Sequence, residues 1–93
     1  MSSKNIKGKL PPSNTIQLRR LTVDEALIRL DKYLDDAFMA DLCNVSIIHG
    51  KGTGTLRQAI RDMLINHPLV KSYRPGDYGE GGAGVTIVEL VPR

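Results

Sequence analysis

The sequence predicts an α/β fold, a two-layer sandwich in the order β-α-β-α-β-β with a four-stranded mixed sheet and two helices. Three observations predict it. Short β-branched or alternating segments take turns with segments whose apolar residues recur every three and four positions. A helix-start signal stands before each of the two helical segments. The 93 residues, 41% hydrophobic and 25% charged, suit one domain with one core.

Residues 1–14 read as a flexible linker or tail, rich in Ser, Lys, Asn and Pro, with the breaker Pro11-Pro12. Such a segment is expected where a domain hangs on a longer chain. The folded part spans 15–90. Thr15-Ile16-Gln17-Leu18 is a short alternating strand. Thr22-Val23-Asp24-Glu25 is a capping box, in which the Thr22 hydroxyl and the Glu25 carboxylate each satisfy a free backbone amide. Val23, Ala26, Leu27, Leu30, Leu34 and Ala37 or Phe38 then mark one apolar face of a helix ending near Ala40. Asp24, Arg29, Asp31, Lys32, Asp35 and Asp36 fall on its other faces and read as a solvated surface.

Val45-Ser46-Ile47-Ile48 reads as a buried strand. It runs straight into HGKGTG. Thr55-Leu56-Arg57-Gln58 reads as a second capping box, opening a helix with apolar Leu56, Ala59, Ile60, Met63 and Leu64. Asn66-His67-Pro68 closes it, with His67 in the last turn against the negative end of the dipole. Leu69 to Tyr73 supplies a third strand, PGDYGEGGAG a mobile connection, and Val85 to Leu90 a fourth strand. Leu90-Val91-Pro92-Arg93 matches the remnant of a thrombin site, so 91–93 read as a tail and Arg93 is assigned no function.

Composition excludes several classes. No apolar run approaches the roughly 20 residues that cross a bilayer, and the N-terminus lacks the apolar region of a secretory signal. No membrane association is expected. The single cysteine, Cys43, rules out an internal disulfide, reads as a buried apolar residue, and fits a reduced, cytoplasmic compartment. No zinc-ligand spacing occurs. Charge is polarised: residues 22–41 carry six acids against two bases, whereas 15–21 and 42–90 together carry seven bases against four acids. One face can therefore meet an anion although the folded part is nearly neutral.

The segment from His49 to Arg57 carries the chemistry. Gly50, Gly52 and Gly54 let the backbone adopt positive φ and let a ligand approach without a Cβ in the way. The helix that follows offers free amides and the positive end of its dipole, an anion site. Lys51 adds a point charge, Arg57 and Arg61 share a helix face beside the loop, and Thr53 and Thr55 bring hydroxyls, Thr55 being occupied in capping. Neither the Walker A pattern nor GxGxxG is present, which excludes the usual mononucleotide and dinucleotide sites. His49, at the sheet edge where ligands bind in open α/β sheets, can relay a proton, hold a phosphate, or serve as a structural hydrogen-bonder.

These blocks, LTVDEAL (21–27), HGKGTGTLRQAI (49–60) and GEGGAGVTIVEL (79–90), resemble the Smr (small MutS-related) domain found at the C-terminus of bacterial MutS-two proteins. The resemblance covers about residues 16–90. It implies a DNA-nicking endonuclease domain attached to an N-terminal MutS-like ATPase region, in a protein that restrains homologous recombination and belongs to DNA repair. Some members of the family are linked instead to ribosomes and messenger RNA, and the architecture is shared with the C-terminal domain of translation initiation factor three. By position, the family's HGxG element falls on His49, Gly50 and Gly52. Its N-terminal LDLRG motif falls on Ile16 to Arg20, where Gln17 replaces the acidic residue and Arg20 the glycine, while Arg19 is retained.

The resemblance and the loop's own chemistry together make His49 the expected catalytic residue, with Arg19, Arg20, Gly50, Lys51, Gly52, Thr53, Gly54, Arg57 and Arg61 expected to meet branched or duplex DNA, or RNA or a ribosome. A divalent ion, magnesium or manganese, stays open as cofactor, and Gln17 is a poor ligand for one. An endonuclease, a non-catalytic DNA- or RNA-binding module and a protein-interaction module all stay open. Aromatics are few (Tyr33, Phe38, Tyr73, Tyr78), so binding by backbone charge and shape is expected, although Tyr73 just before the 75–84 connection and Tyr78 within it could stack on unpaired bases.

Overall fold

The computed structural model of the chain describes residues 12–93; the tail expected over 1–14 therefore lies largely outside the described residues. The order is β1 (Thr15–Gln17), α1 (Val23–Met39), β2 (Asn44–Ile48), α2 (Thr55–Ile65), β3 (Val70–Pro75) and β4 (Val85–Leu90), the predicted β-α-β-α-β-β sandwich. The sheet order is β1-β2-β4-β3, with β1 parallel to β2 and β4 antiparallel to both of its neighbours. Three strands thus run one way and β4 the other. The ends of β1, β2 and β3 and the start of β4 share one edge of the sheet.

The core lies between the sheet and the two helices. Ala26, Leu30, Leu34 and Ala37 of α1 and Ile60 and Leu64 of α2 meet Val45, Ile47, Val88 and Leu90 of the sheet, with Leu18 beside them. Leu18, Leu30, Leu34, Ile47 and Ile60 are fully covered, and each such side chain stabilises the fold by roughly 1.5–3 kcal/mol. The opposite face of the sheet, with Asn44, Ser46, Ser72, Arg74 and Glu89, is polar and open. No helix among the described residues is long and apolar enough to cross a membrane.

The first capping box forms: Thr22 Oγ1 accepts the Glu25 amide at 3.2 Å and Glu25 Oε1 accepts the Thr22 amide at 3.1 Å. The second does not. The residue before α2 is Gly54, in the left-handed region at φ 87°, so Thr55 is already helical and its side chain caps nothing. The Thr55 hydroxyl instead pairs with Thr53 Oγ1 at 2.9 Å, and Gln58 reaches forward to Asp62.

Three further expectations are corrected. Cys43 is exposed, in the bend just before β2, rather than buried. His67 lies beyond the C-cap Asn66: its Nδ1 accepts the Leu69 amide at 3.1 Å and its Nε2–H donates to Asp31 at 2.9 Å, tying the end of α2 to α1. Pro68 is the reason, because it drives the residue before it out of helical geometry. The 76–84 connection is built, not slack. Asp77 and Glu80 form a capping box around a 3-10 turn, Tyr78–Glu80, a second turn covers Gly82–Gly84, and Arg74 grips Glu80 with two bonds of 2.7 and 2.9 Å.

That grip holds the Glu80 carboxyl at about 2, against an ordinary 4.5, chiefly through the Arg74 bonds and then the Asp77 amide. A depressed carboxylate stabilises the fold above its unfolded value and loses that contribution as pH falls through the folded one. The melting-temperature difference between the wild type and Glu80→Gln is therefore expected near neutrality, shrinking below about pH 4.5 and gone near pH 2. Thermal melts across that range check it.

Candidate functional site

The loop of residues 49–57 sits at the shared sheet edge, between the end of β2 and the start of α2. Gly50, Gly52 and Gly54 all take positive φ, at 80°, 31° and 87°, as their spacing predicted. Gly84, buried at the start of β4, anchors the entry: its carbonyl accepts the amides of His49 at 3.1 Å and Gly50 at 3.0 Å. The third sequence block thus reaches the loop through the Gly84 carbonyl. The amides of Lys51, Gly52 and Thr53 make no hydrogen bond among the described residues and stay available to a ligand.

A hollow of about 400 Å³ lies against this loop, walled on its other side by Arg20 and Thr22. Of the sequence-predicted residues it brings together Arg20, His49, Gly50, Lys51, Gly52, Thr53, Gly54 and Arg57. Arg19 and Arg61 lie outside its lining. Arg19 packs over Gly50, its Cγ 3.0 Å from where a Cβ would stand. Arg61, one turn along α2 from Arg57, has a buried Nε without a hydrogen-bond partner.

The electrostatics single out this edge. Among the described residues, Lys32, Lys71, Arg74 and Arg93 pair with carboxylates. The six cations without such a pair are Arg19, Arg20, Arg29, Lys51, Arg57 and Arg61, and only Arg29 lies away from the loop. No carboxylate lines the hollow. Like charges left together with no counter-charge are a cost that an anionic ligand relieves.

His49 is 5% exposed. Its Nδ1–H donates to the Gly50 carbonyl at 2.8 Å, so its Nε2 lone pair accepts the hydroxyl of fully buried Thr86 at 2.9 Å. Burial pushes the ring's pKa below the usual value; the Gly50 bond opposes that, and the charges of Arg57 and Arg61 add to it. The imidazole is therefore neutral at pH 7. Sequence reasoning missed Thr86 and Gly84. Thr86 was findable: on β4 it shares the inward face with Val88 and Leu90, and a hydroxyl there demands a partner.

Gln17 and Arg20, the two departures from the N-terminal motif, have clear geometries. Gln17 Oε1 accepts both the backbone amide of Arg19 at 2.8 Å and its Nε at 3.2 Å. A carboxylate could make the same bonds, so the amide keeps Arg19 placed over Gly50 without supplying a base. That oxygen is occupied, and among the described residues no group of three His, Cys, Asp or Glu lies together. Arg20 has φ 71°, the left-handed region in which glycine is unstrained. Arg20→Gly is expected to raise stability by about 1 kcal/mol, judged by denaturant melts, while weakening nucleic-acid binding by removal of one cation.

A two-layer sandwich presenting HGKG between strand and helix, braced by a buried glycine, is the build of the Smr domain, whose family model matches residues 16–91; the chain belongs to that family. It is 65% identical over 75 residues to a protein of Clostridium beijerinckii named Endonuclease MutS2, and 58% identical over 90 residues to one of that name from Caldicellulosiruptor saccharolyticus. These alignments cover 81% and 96% of the chain, which spans about a tenth of the length of these relatives. Among solved structures, the Smr domain of Thermus thermophilus MutS2 superposes with a TM-score of 0.82 at 47% identity, covering 84% of this chain and 98% of that one. YdaL, a stand-alone small MutS-related protein from Escherichia coli, superposes at 0.80 with 28% identity, covering 91% and 70%.

Proposed function

We propose that this Smr domain binds the phosphate backbone of branched or duplex DNA on the 49–57 loop and nicks it, as part of a longer, cytoplasmic MutS-two-type protein that limits homologous recombination. The observation that carries the reading is the gathering of five unpaired cations around a loop with free amides and no carboxylate. The names of the relatives, Endonuclease MutS2, support the nicking reaction.

In hydrolysis, a water oxygen adds to phosphorus, the bond to the leaving oxygen breaks, and a proton passes from the water to that oxygen. Negative charge gathers on the phosphoryl oxygens meanwhile. Lys51, Arg57 and the amides of Lys51 to Thr53 stabilise that charge, and donors fixed in advance act without reorganising. Arg19 and Arg20 hold the flanking backbone. His49, neutral at pH 7, takes the water's proton once its Nε2 exchanges the Thr86 hydroxyl for the water.

A second reading of His49 is favoured by its burial: it holds the loop entry and moves no proton. Supercoiled plasmid, with and without magnesium or manganese, separates the two. Nicking retained by Thr86→Val but lost in His49→Ala supports proton transfer. Equal loss in both supports loop-holding. No relaxation by the wild type under any condition, with salt-sensitive binding intact, reduces the domain to a binder.

A further inference from the structure

We infer that Tyr78 is a stacking platform for an unpaired base, on a strand whose phosphates lie across the 49–57 loop, so that single-stranded DNA gains a contact that plain duplex lacks. This deepens the phosphate-binding reading and rests on it.

Tyr78 is 101% exposed, so its ring adds nothing to packing. The other two tyrosines are used: Tyr33 donates its hydroxyl to the Ser13 carbonyl, and Tyr73 packs against the core. Yet the backbone beneath Tyr78 is held from several sides. The Asp77 carbonyl accepts the amides of Glu80 at 2.8 Å and Gly82 at 3.0 Å, and the Asp77 amide is bound by Glu80 Oε1 at 2.8 Å. Arg74 clamps Glu80 and lies 3.8 Å from Asp77, offsetting the carboxylates on either side of the ring. The turn beneath the ring is therefore formed in advance, and a flat partner that lands on it orders only the side chain.

Its place in the sheet completes the argument. The turn follows β3, whose end lies at the same edge as the ends of β1 and β2. β4 alone separates β3 from β2, so the ends of those two strands are about 10 Å apart, and Tyr78 follows three residues after the end of β3. The connection that carries Tyr78 also contains Gly84, which holds the phosphate loop. Cations at one side of the edge and an aromatic at the other make a track for a single strand. A duplex hides its base faces and gains nothing from the ring, whereas every unpaired base has a face to stack, whatever the sequence.

Anisotropy at low salt tests this with three fluorescent probes: oligodeoxythymidine of about 12 nucleotides, an abasic strand of equal length and charge, and a duplex of that length. Tyr78→Ala should weaken oligodeoxythymidine binding about five-fold or more, leave the other two probes unchanged, and be rescued by Tyr78→Trp. Equal losses on all three probes, or none on oligodeoxythymidine, would overturn the inference and leave phosphate binding standing. Failure of the wild type to bind any probe would overturn the phosphate reading, and this one with it.

Discussion

Replacing His49 with alanine is expected to lower stability by about 3 kcal/mol, more than loss of a surface histidine allows. The ring is buried at the junction of β2 and the loop, and its removal strands the Thr86 hydroxyl, which is 0% exposed. An orphaned buried hydroxyl costs about 1–3 kcal/mol, and the vacated space adds a cavity term. Thr86→Val removes the partner, and the double variant should cost less than the two single changes together, because each single leaves the other group unpaired. The effect has a pH signature. Burial lowers the His49 pKa below 6.5, so its contribution is present above that value and is lost as pH falls through the folded one. Denaturant melts at pH 7.5 and pH 5 measure both; a His49→Ala cost under about 0.5 kcal/mol at pH 7.5 would contradict the assigned hydrogen bonds.

Gly81→Ala should cost a similar amount, about 3 kcal/mol, by a different route. Gly81 has φ 109°, and a Cβ there would stand 2.4 Å from Cγ2 and 3.3 Å from Cβ of Val85. Val85 is β-branched, 7% exposed and paired with Ile48 in the sheet, so it cannot turn aside. The strain would pass to Gly84, three residues on, and through its carbonyl to the amides of His49 and Gly50. Nucleic-acid binding should therefore fall with stability. Gly79→Ala is the control: nothing stands within 4 Å of its Cβ, and its change should stay within about 0.5 kcal/mol. Melts and binding on the two variants check the pair, and equal behaviour would refute the packing described.

The elements were legible because their periods were clean. The apolar spacing of α1 put Ala26, Leu30, Leu34 and Ala37 on one buried face, as observed, and β4 was read to the residue. The sequence pattern marks β3 from Leu69 to Tyr73, whereas the strand runs Val70–Pro75. A register shift between Val70 and Ser72 lets Val70 and Tyr73, three apart, both reach the core, which an alternating pattern cannot express. The loop glycines and its cations were legible from spacing and charge. What was hidden depends on contacts distant in sequence: Thr86 with His49, Asp31 with His67, Gly84 with Gly50. The mistaken cap at Thr55 has a local cause, since Gly54 in the left-handed region moves the start of α2 one residue earlier than Thr55 as cap required.

The central claim is that the unpaired cations around the 49–57 loop hold phosphate, and the salt dependence of duplex binding tests it most directly. A plot of log affinity against log salt should fall with a slope of about −4.5 if the five cations around the loop each meet a phosphate. In a Lys51→Ala/Arg57→Ala variant, with its fold verified by melting, the slope should become shallower by about 2. A flat wild-type plot, or a variant slope equal to the wild type's, would contradict the claim.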